Sequence, residues 1–317
     1  KKATLTNRGF QINEVPLPKI GKNEILVKSS LCGICEGDVF NYKQIMEKGL
    51  GGNVDEETGL SIGHENSGII EALGDNVSNF KVGERVAALD GDYAEYWVTT
   101  PEMLYKLPEK TQMKKPLGEP IACCVHAAKR FGIELGDKVA ILGTGFMGLV
   151  VLQLSKIQGA AFILATDMFD WRLKTARQLG ADETEHAEVE ASILIEKYGE
   201  FDVVIEAAGV PVVIDIATKI VKKHGRIIFV GYHQSDSGER TVDMKTWNFK
   251  ALDIVNGHIR DNTEKLEAMK DGIALLNKGI LNIDELITYY KFDELNSAFN
   301  ELTGRQEGLY KAALVFE

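Results

Sequence analysis

The sequence predicts an α/β protein with a doubly wound parallel sheet through its middle and a strand-rich first third. Three observations carry this. Between Lys138 and Val230 short apolar runs alternate with helical stretches, the pattern of strands joined by crossover helices. The first of those runs ends in Gly-x-Gly-x-x-Gly. The first hundred residues are cut by Gly/Asn turns into short strand-like segments. The 317 residues amount to about two domains, enough to bury a core without staples. A hydrophobic content of 44% with 26% charged residues is ordinary for a globular chain and excludes disordered, fibrous and disulfide-scaffold classes. Thirty-six basic against 47 acidic residues leave a net charge of −11, which argues against nucleic-acid or anionic-membrane partners. No apolar run approaches the roughly 20 residues of a membrane span. The first residues, Lys1-Lys2-Ala3-Thr4, carry no apolar h-region, so no secretory signal is expected. Four sparse cysteines (Cys32, Cys35, Cys123 and Cys124) point to a reducing, cytoplasmic setting.

Taken in order, Ile25–Lys28, Ser67–Leu73, Arg85–Leu89 and Glu95–Val98 read as strands. Residues 41–60, with Gly49, Gly51, Gly52 and Gly59, read as a long loop. Ile121–Phe131 reads as a helix. Lys138–Leu142, Ala161–Ala165, Phe201–Glu206 and Gly225–Val230 read as buried parallel strands, separated by helices over Phe146–Gln158, Asp170–Leu179 and Val212–Lys222. Leu252–Val255 extends the sheet, Thr263–Asn277 is helical, and Lys311–Phe316 ends the chain as a strand.

Gly143-Thr144-Gly145-Phe146-Met147-Gly148 follows a buried-type strand and opens a helix, the context a dinucleotide fingerprint requires. Gly143 makes the turn, Gly145 lets the backbone approach a pyrophosphate, and Gly148 lets helix and strand pack closely. Phe146 and Met147 begin the helix whose N-terminus faces the phosphates. Asp167 ends the second strand about 20 residues on, where a carboxylate accepts ribose hydroxyls and disfavours a 2′-phosphate. NAD is therefore the expected cofactor, with Arg172 the nearby group able to favour a 2′-phosphate instead.

A second constellation lies in the first third. Gly63-His64-Glu65-Asn66-Ser67-Gly68 is followed by Gly74 and Val77, and Leu31-Cys32-Gly33-Ile34-Cys35 by Asp38. Gly83-Glu84-Arg85-Val86 and Gly118-Glu119-Pro120 complete the set. In these motifs the chain resembles the zinc-containing medium-chain alcohol dehydrogenase family, and its Gly-Glu-Pro segment is similar to the sorbitol-dehydrogenase branch. The resemblance spans essentially the whole chain. It implies a GroES-like partial β-barrel domain over 1–120 and 260–317, a Rossmann domain over 121–259, and an active site in the cleft joining them. It also implies one catalytic zinc per chain held by Cys35, His64 and Glu119, with Glu65 binding directly or through water. Thiolate, imidazole and carboxylate are all zinc ligands, and a catalytic site keeps one position open. A Cys32/Cys35 redox pair and a His64 satisfied within the core are the alternatives.

The chain departs from the family in two places. No run of four cysteines stands between Leu89 and Leu107, so a structural zinc is not expected. Gly37 occupies the position of the Ser or Thr whose hydroxyl carries the alcohol proton outward in the family. Glu65, Glu36, His233 and His258 are the candidates for that role, with a water passed between Glu65 and one of the two histidines as the favoured route. The expected reaction is hydride transfer between a small secondary alcohol (a polyol, sugar or cyclitol) and NAD, giving or consuming a ketone, in a homodimer or homotetramer. A zinc-free quinone or enoyl reductase of the same superfamily and a noncatalytic NAD-binding protein are the alternatives. Specificity is expected in segments 41–60 and 233–248.

Overall fold

A computed structural model describes residues 1–50, 59–112, 117–233 and 238–317. Residues 51–58 of the expected loop, and residues 234–237 of the second specificity segment, lie outside the described residues. The chain divides into two compact units, one formed by residues 1–122 and 261–317 and the other by residues 123–260.

The first unit opens with an antiparallel pair, β1 (Lys2–Thr6) and β2 (Gly9–Asn13). β3 (Ile25–Gly33) then leads into α1 (Glu36–Lys48), and β4 (Glu65–Leu73), β5 (Arg85–Ala88), β6 (Tyr96–Thr99) and β7 (Leu104–Lys106) follow. Helix α2 (Gly118–Ala128) comes next, and the division between the units falls within it.

The second unit carries β8 (Lys138–Leu142), α3 (Phe146–Gln158), β9 (Phe162–Asp167), α4 (Asp170–Gln178), β10 (Glu183–His186) and α5 (Ala191–Tyr198). It continues through β11 (Phe201–Glu206), α6 (Pro211–Ile220), β12 (Val221–Phe229), α7 (Met244–Lys250) and β13 (Asp253–Asn256). The chain returns to the first unit with α8 (Asn262–Asn277), β14 (Ile287–Lys291), α9 (Leu295–Thr303) and β15 (Lys311–Val315).

In the second unit the six strands pair in parallel in the order β10-β9-β8-β11-β12-β13. This is the doubly wound order, with its reversal between β8 and β11, where ligands bind beyond the carboxyl ends of the strands. The central strands are buried almost throughout, which is why they read as unbroken apolar runs.

In the first unit the main sheet runs β14-β15-β3-β4-β5-β7, with β6 also paired to β3. β15 lies antiparallel to β3, which lies antiparallel to β4, so the end of the chain is brought alongside residues near its beginning. Beside this sheet Phe10, Tyr42, Tyr93 and Phe299 form an aromatic cluster with ring centroids 4.6–6.0 Å apart. Each such pair adds about 0.5–1.5 kcal/mol beyond its buried area, so Tyr93 is held in a fixed place.

Three of the differences from expectation have a clear physical cause. Residues 41–48 belong to α1 rather than a loop: the glycines behind that reading all follow Lys48, and the run from Asp38 to Lys48 holds neither Gly nor Pro. α6 stops at Ile220, because Val221 already pairs with Phe201 in the sheet. β10 was not expected at all, since Glu-Thr-Glu-His has no apolar signature and owes its strand to pairing with β9. Among the described residues no helix is long and apolar enough to cross a membrane.

Candidate metal and dinucleotide sites

Cys35 stands just after β3 and caps α1, its sulfur accepting the Gly37 N–H at 3.4 Å. His64 precedes β4, and Glu65 is its first residue, 1% exposed. One ligand atom from each of these three residues falls within 4.8 Å of the others. Glu65 Oε1 accepts from the Lys311 ammonium at 2.6 Å, while its Oε2 is buried with no hydrogen-bond partner. A buried carboxylate oxygen without a partner is costly. Grouped with a thiol and an imidazole, the Glu65 carboxylate completes a sulfur, nitrogen and oxygen donor set suited to zinc. The residues present therefore fit the metal.

The surroundings orient this set. Asp38, buried on the first turn of α1, brings Oδ2 to 3.8 Å from His64 Nδ1. That separation is an ion-pair distance, too long for a hydrogen bond. It sets a carboxylate behind the imidazole, as metal-binding histidines commonly have. Asp38 is itself fixed by the Tyr93 hydroxyl, which donates to it at 2.7 Å. Burial, then the Asp38 charge, raises the Tyr93 pKa well above normal and keeps this hydroxyl a donor.

Gly33 matters through what it lacks. A Cβ there would overlap the Glu65 carboxylate and meet Leu117, so only glycine leaves room for that carboxylate between β15 and β4. Asp38 was within sight of sequence reasoning, three residues after Cys35 on a helix start. Lys311, Tyr93 and the role of Gly33 were not.

The cysteine pair is not poised for redox chemistry. Burial, then the charge of Glu65, pushes the Cys35 thiol up to about 12, and burial also raises Cys32 well above normal. Reactive cysteines need the opposite shift. Cys32 Sγ donates to Asn66 Oδ1 at 3.1 Å, and none of the four cysteines is in a disulfide.

The expected ligand Glu119 is placed differently. It is buried in the first turn of α2, and its Oε1 accepts from Lys265 on α8 at 2.9 Å. The cluster of metal-ligating atoms comprises Cys35, His64 and Glu65, without Glu119. Glu36 is exposed in the first turn of α1, where an acid favours the helix N-terminus.

In the second unit Gly143 follows β8 with φ of 100°, and its Cα lies so near the chain after β11 that a Cβ would stand 2.9 Å from the Ala208 nitrogen. A Cβ on Gly148 would overlap the Gly143 carbonyl oxygen. At Gly145 a Cβ would meet only Arg172 Nη1, at 3.9 Å, leaving the approach to the N-terminus of α3 open. Phe146 is buried in that first turn and Met147 half-buried.

Asp167, at the end of β9, accepts the Thr144 N–H at 2.8 Å and the Phe169 N–H at 3.2 Å. Arg172 Nη1 stands 3.6 Å from Asp167 Oδ2, and its guanidinium lies over the rings of Phe169 and Trp171. Thr144 Oγ1 and Arg172 Nε are buried without hydrogen-bond partners. Two orphaned polar groups beside an open glycine turn at the switch point fit a dinucleotide's phosphates and ribose.

The two histidines proposed for proton transfer are engaged within this unit. His233 Nε2 pairs with the fully buried Glu206 at 3.1 Å, and His233 Nδ1 accepts from Arg240 Nε at 3.0 Å. Glu206 also accepts the N–H groups of Ala208 and Gly209. Both ring nitrogens of His233 thus have partners within this unit, Glu206 and Arg240. His258 Nε2 lies 3.2 Å from the Gly231 carbonyl oxygen, and burial lowers its pKa, so the ring is neutral and donates to that oxygen.

Comparison with known proteins decides the family. The model of the alcohol dehydrogenase GroES-like domain matches residues 21–109, and that of the zinc-binding dehydrogenase matches residues 147–276. The chain belongs to the zinc-containing medium-chain dehydrogenase family. It is 28% identical to a sorbitol dehydrogenase of Bacillus subtilis, over 94% of this chain and 92% of that one. It is 29% identical to a D-xylulose reductase of Saccharomyces cerevisiae, over 74% of each chain. The crystal structure of 2R,3R-butanediol dehydrogenase from Bacillus subtilis superposes with a TM-score of 0.83 at 23% identity, over 100% of this chain and 99% of that one, a likeness of fold. This medium-chain dehydrogenase is accordingly an oxidoreductase that uses zinc and a dinucleotide cofactor.

Proposed function

We propose that this medium-chain dehydrogenase oxidises a secondary alcohol of a polyol or sugar to the ketone, or reverses that reaction, with one zinc per chain and NAD. The observation that carries the reading is the convergence of Cys35, His64 and Glu65, of which the Glu65 carboxylate keeps one oxygen without a hydrogen-bond partner. The names of the relatives, a sorbitol dehydrogenase and a D-xylulose reductase, support the polyol class.

In this reading Cys35, His64 and Glu65 hold the metal and Asp38 orients the imidazole from its Nδ1 side. Bound zinc supplies Lewis acidity that eases loss of the alcohol proton, and NAD takes the hydride. Gly37 brings no hydroxyl to the site, so the proton route differs from that of the family. Gly143, Gly145 and Gly148 let the backbone meet the pyrophosphate, and Asp167 favours NAD by repelling a 2′-phosphate, against the pull of Arg172. A homo-oligomer is supported by β13, an edge strand able to pair with its copy across a two-fold axis.

Metal analysis of protein purified without added zinc, together with NAD reduction across a panel of polyols, tests the whole reading. One zinc per chain and turnover with at least one polyol are expected. A protein that turns over polyols without metal, or binds zinc with Cys35, His64 and Glu65 all replaced by alanine, overturns it.

A further inference from the structure

Glu119 and Glu65 are buried carboxylates near one group of metal-ligating atoms, and each is held by its own lysine. Lys311 takes Glu65 Oε1 at 2.6 Å, and Lys265 takes Glu119 Oε1 at 2.9 Å. The arrangement differs in one respect. Glu65 has a carboxylate oxygen within the Cys35–His64 group and a buried Oε2 with no hydrogen-bond partner, whereas Glu119 lies outside that group. Glu119 is nonetheless close enough for its charge to raise the pKa values of both Cys35 and Glu65.

A buried carboxylate in a low-dielectric setting seeks a cation. One, the ammonium of Lys265, is its partner, and the start of α2 runs past the ligand group, since Leu117 and the Glu65 carboxylate both border Gly33. A zinc site with four protein ligands is closed, whereas one with three leaves a position for substrate.

We propose that Lys265 is a positioning residue that holds Glu119 out of the metal's ligand set and so keeps the fourth position open for the substrate oxygen. The ion pair also fixes where the Glu119 carboxylate sits, at the first turn of α2 and outside the group formed by Cys35, His64 and Glu65. The inference rests on the assignment of the metal to Cys35, His64 and Glu65.

The test compares the full-length protein with Lys265→Met, Lys265→Arg and the double variant Lys265→Met/Glu119→Gln. Metal affinity is read by competition with a chromophoric chelator, and ligand number by the visible spectrum of the cobalt-substituted protein. In Lys265→Met the released Glu119 joins the metal. Zinc should bind about tenfold or more tightly, on the scale by which changes around a metal's ligands alter its affinity but with the opposite sign, because a ligand is gained. The cobalt spectrum should change, and turnover should fall although the metal is held harder.

Lys265→Arg should keep wild-type affinity and spectrum, and the double variant should return both towards wild type. A purely structural role for Lys265 predicts weaker metal binding together with lower turnover, and that result overturns the proposal. So does an unchanged affinity and cobalt spectrum in Lys265→Met. Should that variant not fold, Lys265→Gln takes its place with the same expected shifts. Wild-type protein that binds no zinc refutes the metal assignment itself, whereas wild type that binds one zinc alongside an unaltered Lys265→Met refutes only the role of Lys265.

Discussion

Replacing Lys311 by methionine isolates the energetics of the metal group. The Lys311 ammonium and the Glu65 carboxylate are 2.6 Å apart, with side chains only 8% and 1% exposed. Removing one member of a buried ion pair costs about 3–5 kcal/mol, because the other charge stays buried without compensation. For a unit of this size that is a fall in Tm of about 6–20 °C, at roughly 2–4 °C per kcal/mol.

The loss depends on pH in a definite direction. Burial already raises the Glu65 pKa, and Lys311 pulls it back down. Without Lys311 the folded-state value climbs further above the unfolded value of about 4.3. Folded Lys311→Met therefore binds a proton that the unfolded chain does not. Its penalty relative to wild type grows as pH rises from the wild-type folded value of Glu65 to the higher value in the variant, and is lost at lower pH.

Zinc supplies the missing positive charge at Glu65, so the metal-loaded variant should recover much of the loss. Thermal unfolding of metal-free and zinc-loaded protein across a series of pH values from acid to neutral, followed by circular dichroism, measures all three effects. Lys311→Arg, which preserves the charge, serves as the control. The reasoning fails if metal-free Lys311→Met matches wild type at neutral pH, or if zinc leaves the difference between them untouched.

Two other perturbations probe the dinucleotide-binding unit. His233→Ala removes the ring that pairs with fully buried Glu206, so the unfolding midpoint should fall while turnover per zinc-loaded folded chain drops less than about tenfold. A loss of about 10²-fold at unchanged stability would instead assign His233 the proton-relay role. Asp167→Ser takes away the charge opposing a 2′-phosphate and leaves Arg172, so the kcat/KM ratio of NADP to NAD should rise about tenfold or more; an unchanged ratio would remove Asp167 from cofactor selection.

The sequence by itself determined the parts of this protein whose physics is local. Lys138–Leu142 is unbroken apolar because a central parallel strand is buried on both faces, and its bounds were legible to the residue, as were those of the helix Phe146–Gln158 and the strand Phe201–Glu206. The Gly143/Gly145/Gly148 turn was legible because close backbone approach tolerates only glycine there. Short motifs put the donors Cys35, His64 and Glu65 in view, because zinc accepts few donor types, but the expected third ligand was Glu119, with Glu65 only conditional.

Only the tertiary structure decided what surrounds those groups. Lys311 reaches Glu65 across 246 positions of sequence, and Lys265 reaches Glu119 across 146. Nothing local to a lysine on a C-terminal strand or a late helix announces a buried carboxylate from the first half of the chain. His233 reads as a titratable group on a loop, and only its two partners, Glu206 and Arg240, show that both ring nitrogens are engaged. Glu-Thr-Glu-His became β10 because β9 offered it an edge, a condition set by the neighbouring strand rather than by its own residues. Ligand types follow from side-chain chemistry and short spacing; which ligand a charged neighbour holds back follows from long-range packing, where burial makes every unpaired charge expensive.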